Sequence, residues 1–168
     1  DTLLTLDIGM QKQVEKLLAD GATRARSNAA SAVVMDPHTG AIKAMANYPS
    51  YDPAKFQEVS DAALFTNSAI THPIEIGSIM KTLTVAAALD QGVIKKDTSY
   101  YDPASYLVDE FRITNIEEDG GPGQRNIAQL LNLSLNTGAT WALMQMGGGK
   151  LNQQARDRWY EYMTERYR

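Results

Sequence analysis

Apolar residues recur at helical spacing near the start of the chain, between two residues that favour helix ends. Asp7 is suited to cap a helix N-terminus and Gly21 to terminate a helix, so an amphipathic helix is expected at about residues 8–19. Its apolar positions are Met10, Val14, Leu17 and Leu18. Because these side chains share one helix face, the pattern predicts a helix that packs on the rest of the protein.

Two short apolar segments, at residues 32–35 and 41–45, flank a polar turn. Within the turn, Pro37 restricts φ to a value that suits a turn, and Gly40 accepts a positive φ. Apolar segments of this length joined by such a turn are typical of a β-hairpin. The sequence therefore predicts one hairpin, followed by a loop at residues 47–53.

The strongest helical pattern of the chain begins near Ser78 and runs to Asp90, and Gly92 follows as a terminator. A break is expected at residues 136–138, which are Asn, Thr and Gly. Further helical segments are expected within residues 58–70, at residues 127–133 after a capping Asn126, and at residues 139–146 and 151–168. The second half of the chain is therefore predicted to be largely helical.

Residues 97–125 are rich in Asp, Tyr, Pro and Gly. Such residues favour turns, so this segment is expected to be irregular. It contains an acidic, glycine-rich stretch at residues 117–123, which is expected to form an exposed loop and not a cation site. The only strands that the pattern predicts are those of the hairpin.

Composition limits the chemistry that the protein can carry. The 168 residues include 16 Lys+Arg and 20 Asp+Glu, and the resulting net charge of −4 argues against a nucleic-acid partner. The chain has no cysteine, and its two histidines, His38 and His72, lack the spacing of metal ligands. Catalysis would therefore use Ser, Lys, Tyr or carboxylate side chains. No apolar run is long enough to span a membrane, and any targeting segment is expected outside this chain.

Ser78 and Lys81 stand three positions apart at the start of the strongest predicted helix. Residues with this spacing share a helix face, so the lysine amine lies beside the serine hydroxyl. The N-terminal end of a helix and burial both favour a neutral amine, which can act as a general base. Backbone N–H groups at the same end suit an oxyanion formed when Ser78 attacks a carbonyl. The same spacing also arises by chance, so a role in structure alone stays open at this point.

A second motif lies in the second half of the chain. Ser134, Leu135 and Asn136 form the only Ser-x-Asn of the sequence, at a predicted helix break. Alone, Ser and Asn at a break are explained as helix caps. In this order, however, Ser-x-x-Lys and Ser-x-Asn are part of the active-serine signature of penicillin-binding proteins and class A β-lactamases.

The chain resembles the opening of a class B penicillin-binding protein transpeptidase domain over nearly its whole length. The positions that carry the resemblance are residues 5–7, Gln11, Leu18, residues 32–45, Asn67, Ala69, Ile70, and residues 77–82 and 134–138. The resemblance implies an α+β fold of the penicillin-binding transpeptidase and β-lactamase type. The chain is expected to form the first half of that fold: a β-hairpin of the antiparallel sheet and a largely helical subdomain, with the sheet incomplete.

The resemblance also implies a role for each motif residue. Ser78 is expected to be the acylated nucleophile, and Lys81 the base that accepts its proton. Ser134 is expected to relay the proton, while Asn136 holds Lys81 and the peptide amide of the substrate. Gly77 is expected to contribute to substrate binding together with Ser134 and Asn136. This chemistry implies no metal and no organic cofactor.

The chain departs from the family pattern in two places. Ile76 stands where the family often has Pro before Gly-Ser, a change that removes no reacting group. The third family motif, Lys-Thr-Gly or Lys-Ser-Gly, is absent. Residues 38–40, His-Thr-Gly, imitate it, but they precede Ser78 and are explained by turn chemistry. Residues 1–168 are therefore expected to be part of a transpeptidase domain whose membrane anchor, pedestal and C-terminal half lie outside this chain.

The function that the resemblance implies is peptidoglycan D,D-transpeptidation, in which stem peptides are cross-linked through an acyl-enzyme on Ser78. β-Lactam antibiotics are expected to acylate the same serine. The implied location is the extracytoplasmic face of the bacterial cytoplasmic membrane, with a membrane glycan polymerase as partner and a role in cell shape or division. Two alternatives stay open: a β-lactamase or β-lactam sensor with the same motifs, and a non-catalytic scaffold. Residues 1–168 alone are expected to be inactive or weakly active.

Overall fold

The computed structural model describes residues 3–116 and 121–167. The chain divides into two compact units, the first over Asp1–Ile74 and the second over Glu75–Arg168. Both the Ser-x-x-Lys and the Ser-x-Asn motif belong to the second unit. The elements that position the candidate site are therefore those of the second unit.

The first unit contains one long helix that packs on a two-stranded sheet. Helix α1 spans Ile8–Ala25, strand β1 spans Ala30–Met35 and strand β2 spans Ile42–Tyr48. Gln11 joins the helix to β2 through two hydrogen bonds. Its side-chain amide donates to the Met45 carbonyl at 2.8 Å and accepts from the Met45 N–H at 2.8 Å. The backbone of the strand thus fixes the N-terminal half of the helix.

Helix α1 is longer than the sequence predicts. Asp7 caps its start as expected, with Oδ1 accepting from the Met10 N–H at 2.8 Å. Gly21 does not end the helix, so the predicted end near residue 19 is wrong; the helix stops at Arg26, which is left-handed with φ 54°. The additional turn buries Ala22. This packing outweighs the cost of a glycine inside a helix, about 1 kcal/mol.

The predicted β-hairpin is confirmed. Strands β1 and β2 pair antiparallel, with a shift in register between Val34 and Met35. In the turn, Gly40 has φ 73°, and the Asp36 carboxylate accepts from the His38 N–H at 2.8 Å. This hydrogen bond lowers the pKa of Asp36. The His-Thr-Gly tripeptide therefore serves the turn, as its turn chemistry predicts.

The rest of the first unit contains three short helical turns, and the last two of them replace the single helix predicted within residues 58–70. The 3₁₀ turns span Pro53–Glu58 and Ala62–Phe65, and helix α2 spans Ser68–Thr71. The residue before each turn accepts a hydrogen bond from a backbone N–H inside it; these residues are Asp52, Asp61 and Asn67. Asp61 and Asn67 each cap a separate turn, which explains why one continuous helix does not form within residues 58–70.

Among the described residues of the second unit, four α-helices form the frame. Helix α3 spans Met80–Asp90, α4 spans Ile127–Asn132, α5 spans Asn136–Gln145 and α6 spans Gln153–Glu161, before a π-helical turn over Tyr162–Arg166. Helices are thus confirmed where the sequence predicts them, and Asn126 caps α4 as expected. The buried apolar core of this unit consists of Val85, Ala87, Ala88, Ile94, Tyr100, Ile127, Leu130, Ala142, Met146, Ala155 and Tyr162.

Helix α5 begins earlier than the sequence predicts. Residues 136–138 form its first turn, so the predicted break there is wrong. The chain instead turns at Ser134, whose φ of 53° is a left-handed value that few residues other than glycine adopt. Gly138 is present because of close packing: a Cβ at this position would lie 2.5 Å from both Leu130 Cγ and the Tyr100 hydroxyl oxygen.

The segment at residues 97–125 is more regular than predicted. Strand β3 (Ser99–Asp102) pairs antiparallel with β6 (Gly123–Asn126), and β4 (Ser105–Val108) pairs antiparallel with β5 (Phe111–Thr114). Aromatic residues of this segment favour strands, and strand pairing overrides the turn-forming character of their neighbours. Of the loop predicted at residues 117–123, residues 117–120 lie outside the described residues, and Gly123 belongs to β6.

The architecture is α+β, which confirms the fold class that the resemblance implies. Its strands form three two-stranded antiparallel sheets within the described residues. In residues 3–116 and 121–167, no helix combines the length and the apolar character needed to cross a bilayer.

Candidate active site

Ser78 lies at the surface, in a tight turn that leads into helix α3. A 3₁₀ turn over Gly77–Ile79 precedes the helix, and the Met80 N–H donates to the carbonyls of Gly77 and Ser78. Gly77 has φ 64°, which glycine adopts without strain. Because Ser78 is exposed, the residue predicted to be the nucleophile is accessible to a substrate.

Lys81, in the first turn of α3, reaches the Ser-x-Asn motif. Its Nζ donates to Ser134 Oγ at 2.9 Å and also to the Ser134 carbonyl oxygen. Lys81 and Ser134 are each half-buried, so water only partly competes for these contacts. The structure thus brings together two of the four residues predicted to be catalytic, Lys81 and Ser134.

Ser134 is held in a short connection between α4 and α5. Its N–H donates to the Leu131 carbonyl at 3.1 Å, and the Leu135 N–H donates to the Leu130 carbonyl at 3.0 Å. Leu130 and Leu135 are fully buried. Packing of these two side chains fixes both ends of the connection and imposes the left-handed conformation on Ser134.

Asn136 is exposed at the start of α5. Its Nδ2 donates to the Thr114 carbonyl, at the end of β5, at 2.7 Å. This hydrogen bond orients the side-chain amide. The contacts of Asn136 with Lys81 and with a substrate amide, which the resemblance implies, stay predictions, as does substrate binding by Gly77.

Three residues beside Asn136 form a hydrogen-bond network, and the sequence analysis assigned none of them a role in the site. Thr137 Oγ1 lies 2.7 Å from both carboxylate oxygens of Asp102, and Asn115 Nδ2 donates to the same hydroxyl oxygen at 2.7 Å. The Thr137 N–H donates to Asn115 Oδ1 at 3.1 Å. Thr137 and Asp102 are 0% and 1% exposed. The available sequence signal was the position of Thr137 directly after Ser-x-Asn.

Tyr100 packs against helix α5, with its ring stacked on Trp141 at a centroid distance of 4.2 Å. Burial, and then the negative charge of Asp102, raise the pKa of Tyr100, so the phenol is protonated at neutral pH. Its hydroxyl occupies the space beside Gly138. The first turn of α5 therefore rests on an aromatic stack as well as on the polar network.

Replacing Gly138 by alanine is expected to destabilise the second unit by about 1–3 kcal/mol, the usual cost of overpacking. The added Cβ meets Leu130 Cγ, a branch point of a buried side chain, and the hydroxyl of Tyr100, whose ring is stacked on Trp141, both at 2.5 Å. This clash outweighs the gain of about 1 kcal/mol from the better helix former. Urea unfolding of the complete domain, followed by circular dichroism, measures the change.

Gly21→Ala in helix α1 is the matched control. Gly21 also lies inside a helix, but nothing lies within 4 Å of the position of its Cβ. This variant is expected to gain up to about 1 kcal/mol of stability. If Gly138→Ala were as stable as Gly21→Ala, the close approach described for Gly138 would be wrong.

Residues 38–40, which imitate the third family motif, lie in the hairpin turn of the first unit. The structure thus gives them a structural role, as the sequence predicts. Within the part of the chain that the structure describes, no three His, Cys, Asp or Glu side chains are grouped so that they could hold a metal ion.

The chain is similar in sequence and in fold to known proteins of one family. Residues 30–165 match the family model of the penicillin binding protein transpeptidase domain. Stage V sporulation protein D of Bacillus subtilis is 30% identical over 158 residues, which are 94% of this chain and 24% of that protein. Peptidoglycan D,D-transpeptidase FtsI of Buchnera aphidicola is 30% identical over 149 residues, which are 89% of this chain and 25% of that protein.

A solved structure of penicillin binding protein 3 from Mycobacterium tuberculosis, in complex with aztreonam, has a TM-score of 0.80 and 25% identity. The match covers 95% of this chain and 34% of that chain. The chain belongs to the penicillin-binding protein transpeptidase family, and the class B resemblance is confirmed. It spans about a quarter of the length of the two curated relatives and about a third of the solved chain.

Proposed function

We propose that the protein is a peptidoglycan D,D-transpeptidase that cross-links stem peptides through an acyl-enzyme on Ser78. The observation that carries the proposal is the 2.9 Å hydrogen bond from Lys81 Nζ to Ser134 Oγ, which joins the two motifs in a member of this family. The activity also appears in the names of two relatives, the D,D-transpeptidases FtsI and MrdA.

In the proposed reaction, Ser78 Oγ bonds to the carbonyl carbon of the penultimate D-alanine of a stem peptide. The serine proton passes to the Lys81 amine, and the terminal D-alanine leaves as its amine takes up a proton. The amine of a second stem peptide then attacks the ester, loses a proton and releases Ser78 as the hydroxyl. One peptide bond breaks and one forms, so the reaction consumes no energy source.

The contacts of Lys81 suit a proton acceptor. A neutral amine has two N–H groups and one lone pair. Donation to the hydroxyl and carbonyl oxygens of Ser134 places this amine at the second motif, and in the proposed reaction its lone pair takes the Ser78 proton. Ser134 is suited to relay a proton to the leaving amine because a hydroxyl accepts one hydrogen bond while it donates another.

β-Lactams are expected to acylate Ser78, because they resemble the D-alanyl-D-alanine end of a stem peptide and their acyl-enzyme leaves slowly. Structures of penicillin binding protein 3 from Mycobacterium tuberculosis contain aztreonam or ampicillin. A fluorescent penicillin is therefore the covalent probe for this site.

For the whole protein, we propose an anchored location at the extracytoplasmic face of the bacterial cytoplasmic membrane, with the anchor outside this chain. Its macromolecular substrate is peptidoglycan, and a membrane glycan polymerase is the proposed partner. The family resemblance supports these assignments and a role in cell shape or division. The net charge of −4 over residues 1–168 argues against a nucleic-acid partner for this part of the protein.

The proposal is tested by labelling the complete domain with fluorescent penicillin and mapping the adduct by mass spectrometry. A single adduct is expected, on the peptide that contains Ser78, together with cross-linking of stem peptides in vitro. Rapid hydrolysis of penicillin would indicate a β-lactamase, and labelling without cross-linking a sensor. The complete absence of an adduct would indicate a non-catalytic scaffold.

Residues 1–168 alone are expected to be acylated at least about 10²-fold more slowly than the complete domain. The resemblance implies that a central strand of the C-terminal half carries Lys-Thr-Gly or Lys-Ser-Gly and a second oxyanion donor, and the loss of one such donor costs about 10²–10³ in rate. The measurement is a time course of penicillin incorporation with and without the C-terminal half as a second chain.

Addition of the C-terminal half is expected to restore labelling of Ser78. The control is the same mixture with Ser78→Ala in residues 1–168, which is expected to stay unlabelled. Near-normal acylation of residues 1–168 alone would contradict the need for the third motif.

A further inference from the structure

We infer that Asp102, Thr137 and Asn115 form a positioning network that holds Ser134 and Asn136 in the geometry needed for acylation of Ser78. The inference rests on the proposed function. It concerns residues outside the two motifs, and it assigns them a role that acts through the motif residues and not through contact with the substrate.

The chemistry of the donors and acceptors determines the direction of each hydrogen bond in the network. Asn115 Nδ2 can only donate, so the Thr137 hydroxyl accepts from it at 2.7 Å. The single hydroxyl proton of Thr137 is then left for the Asp102 carboxylate, whose two oxygens both lie at 2.7 Å. Asp102 Oδ1 also accepts from the Ala104 N–H at 2.7 Å. Each member therefore depends on the next for its hydrogen bonds.

Burial makes the network costly to disrupt. Asp102 and Thr137 are almost completely buried, and a buried carboxylate is tolerated only where hydrogen bonds replace its hydration. If the Thr137 hydroxyl is removed, Asp102 loses one donor and Asn115 loses one acceptor at the same time. The surrounding backbone is then expected to shift until these groups find other partners.

The backbone that would shift carries the Ser-x-Asn motif. Thr137 directly follows Asn136, and its own N–H is held by Asn115 Oδ1 at 3.1 Å. The residues that precede Thr137 and Asn115 are also joined, because Asn136 Nδ2 donates to the Thr114 carbonyl. The end of β5 thus fixes the first turn of α5 through main-chain and side-chain bonds, three residues from the hydroxyl that contacts Lys81.

The left-handed conformation of Ser134 makes this positioning necessary. A non-glycine residue with φ 53° persists only where its surroundings impose it. The buried side chains of Leu130 and Leu135 hold the two ends of the connection that contains Ser134, and the network holds the first turn of α5. A small relaxation at Thr137 would move Ser134 Oγ relative to Lys81 Nζ, and a misplacement of about 1 Å can cost about 10²-fold in rate.

The test compares Thr137→Val with Thr137→Ser in the complete domain. Valine keeps the shape of the side chain but lacks the hydroxyl, whereas serine keeps the hydroxyl. The rate constant for acylation by fluorescent penicillin is expected to fall about 10- to 100-fold in Thr137→Val. In Thr137→Ser it is expected to stay within about threefold of the unsubstituted domain, because the network is preserved. Circular dichroism establishes that each variant is folded at the assay temperature.

Thr84→Val is the matched control for a loss of stability alone. Thr84 is also a buried threonine of the second unit, but its hydroxyl donates to the Met80 carbonyl and accepts from Trp159 Nε1, both at 3.0 Å. Thr84→Val is expected to lower the unfolding temperature and to leave the acylation rate within about threefold of the original. Asn115→Ala is a second network variant, at a partly buried site, and is expected to slow acylation in the same direction as Thr137→Val.

Acylation of folded Thr137→Val and Asn115→Ala at the original rate would overturn the inference and leave the proposed function in place. Equal slowing of Thr84→Val and Thr137→Val, or failure of Thr137→Ser to retain the rate, would reduce the network to a role in stability and also overturn it. If the unsubstituted domain were not labelled at all, the proposed function would be wrong and the inference with it.

Discussion

Replacement of Ser78 by alanine is expected to abolish covalent labelling of the complete domain by fluorescent penicillin. The acyl bond needs an oxygen nucleophile, and an alanine methyl group cannot supply one. In other serine enzymes, removal of the nucleophile lowers the rate by about 10⁶-fold, which is below detection in a gel assay. The accessible position of Ser78, in the turn before α3, makes it the hydroxyl that a bulky acyl donor can approach. Intact-mass spectra after incubation with penicillin measure the fraction acylated.

Ser50→Ala is the control for this experiment. Ser50 is also an exposed serine in an irregular segment, and no motif includes it. This variant is expected to be labelled at the original rate. An adduct that persists in Ser78→Ala, or that maps to a peptide without Ser78, would contradict the assignment of the nucleophile.

The features that the sequence predicts well are those that depend on neighbouring residues. Asp7 and Asn126 cap helices because their side chains reach backbone N–H groups three residues later. The hairpin forms because Gly40 and Asp36 satisfy the geometry of a tight turn by themselves. Such interactions are complete within a few positions, so the pattern of residue types is sufficient to find them.

Features that depend on distant packing were predicted poorly. Gly21 has the character of a helix terminator, yet α1 continues past it to bury Ala22. Gly138 is typical of a helix break, yet it lies inside α5. Glycine is needed there because the Tyr100 hydroxyl and Leu130 occupy the space that a Cβ would fill. In both cases the role of glycine is decided by contacts that the local sequence does not contain.

The candidate site also combines features that depend on neighbouring residues with features that depend on distant contacts. The spacing of Ser78, in the 3₁₀ turn, and Lys81, in the first turn of α3, is a local property, and the sequence identifies it directly. The contact of Lys81 with Ser134 crosses 53 positions, so only the family resemblance could bring these residues together. Asp102 and Thr137 meet across 35 positions; Thr137 directly follows Ser-x-Asn, but no motif includes Asp102 or Asn115. Their network could be found only from the structure.

Replacement of Lys81 by arginine is expected to reduce acylation almost as far as replacement by alanine. A guanidinium can still donate to the oxygens of Ser134, but it stays protonated and cannot accept the Ser78 proton. Positioned proton transfer of this kind contributes about 10²–10⁴-fold to the rate. Both Lys81→Arg and Lys81→Ala are therefore expected to lose at least about 10²-fold in the acylation rate near neutral pH, measured as penicillin incorporation over time.

Lys95→Arg is the control for the general effect of replacing a lysine by arginine. Lys95 follows helix α3, is exposed and lies outside the site. It is expected to be acylated at the original rate. Arginine and alanine at position 81 separate two roles of the lysine, since only arginine retains the positive charge. If Lys81→Arg kept substantial acylation while Lys81→Ala lost it, Lys81 would stabilise charge and hold Ser134 without acting as the base. Loss in both variants, with labelling intact in Lys95→Arg, is the result expected when the lone pair of the Lys81 amine takes the proton from Ser78.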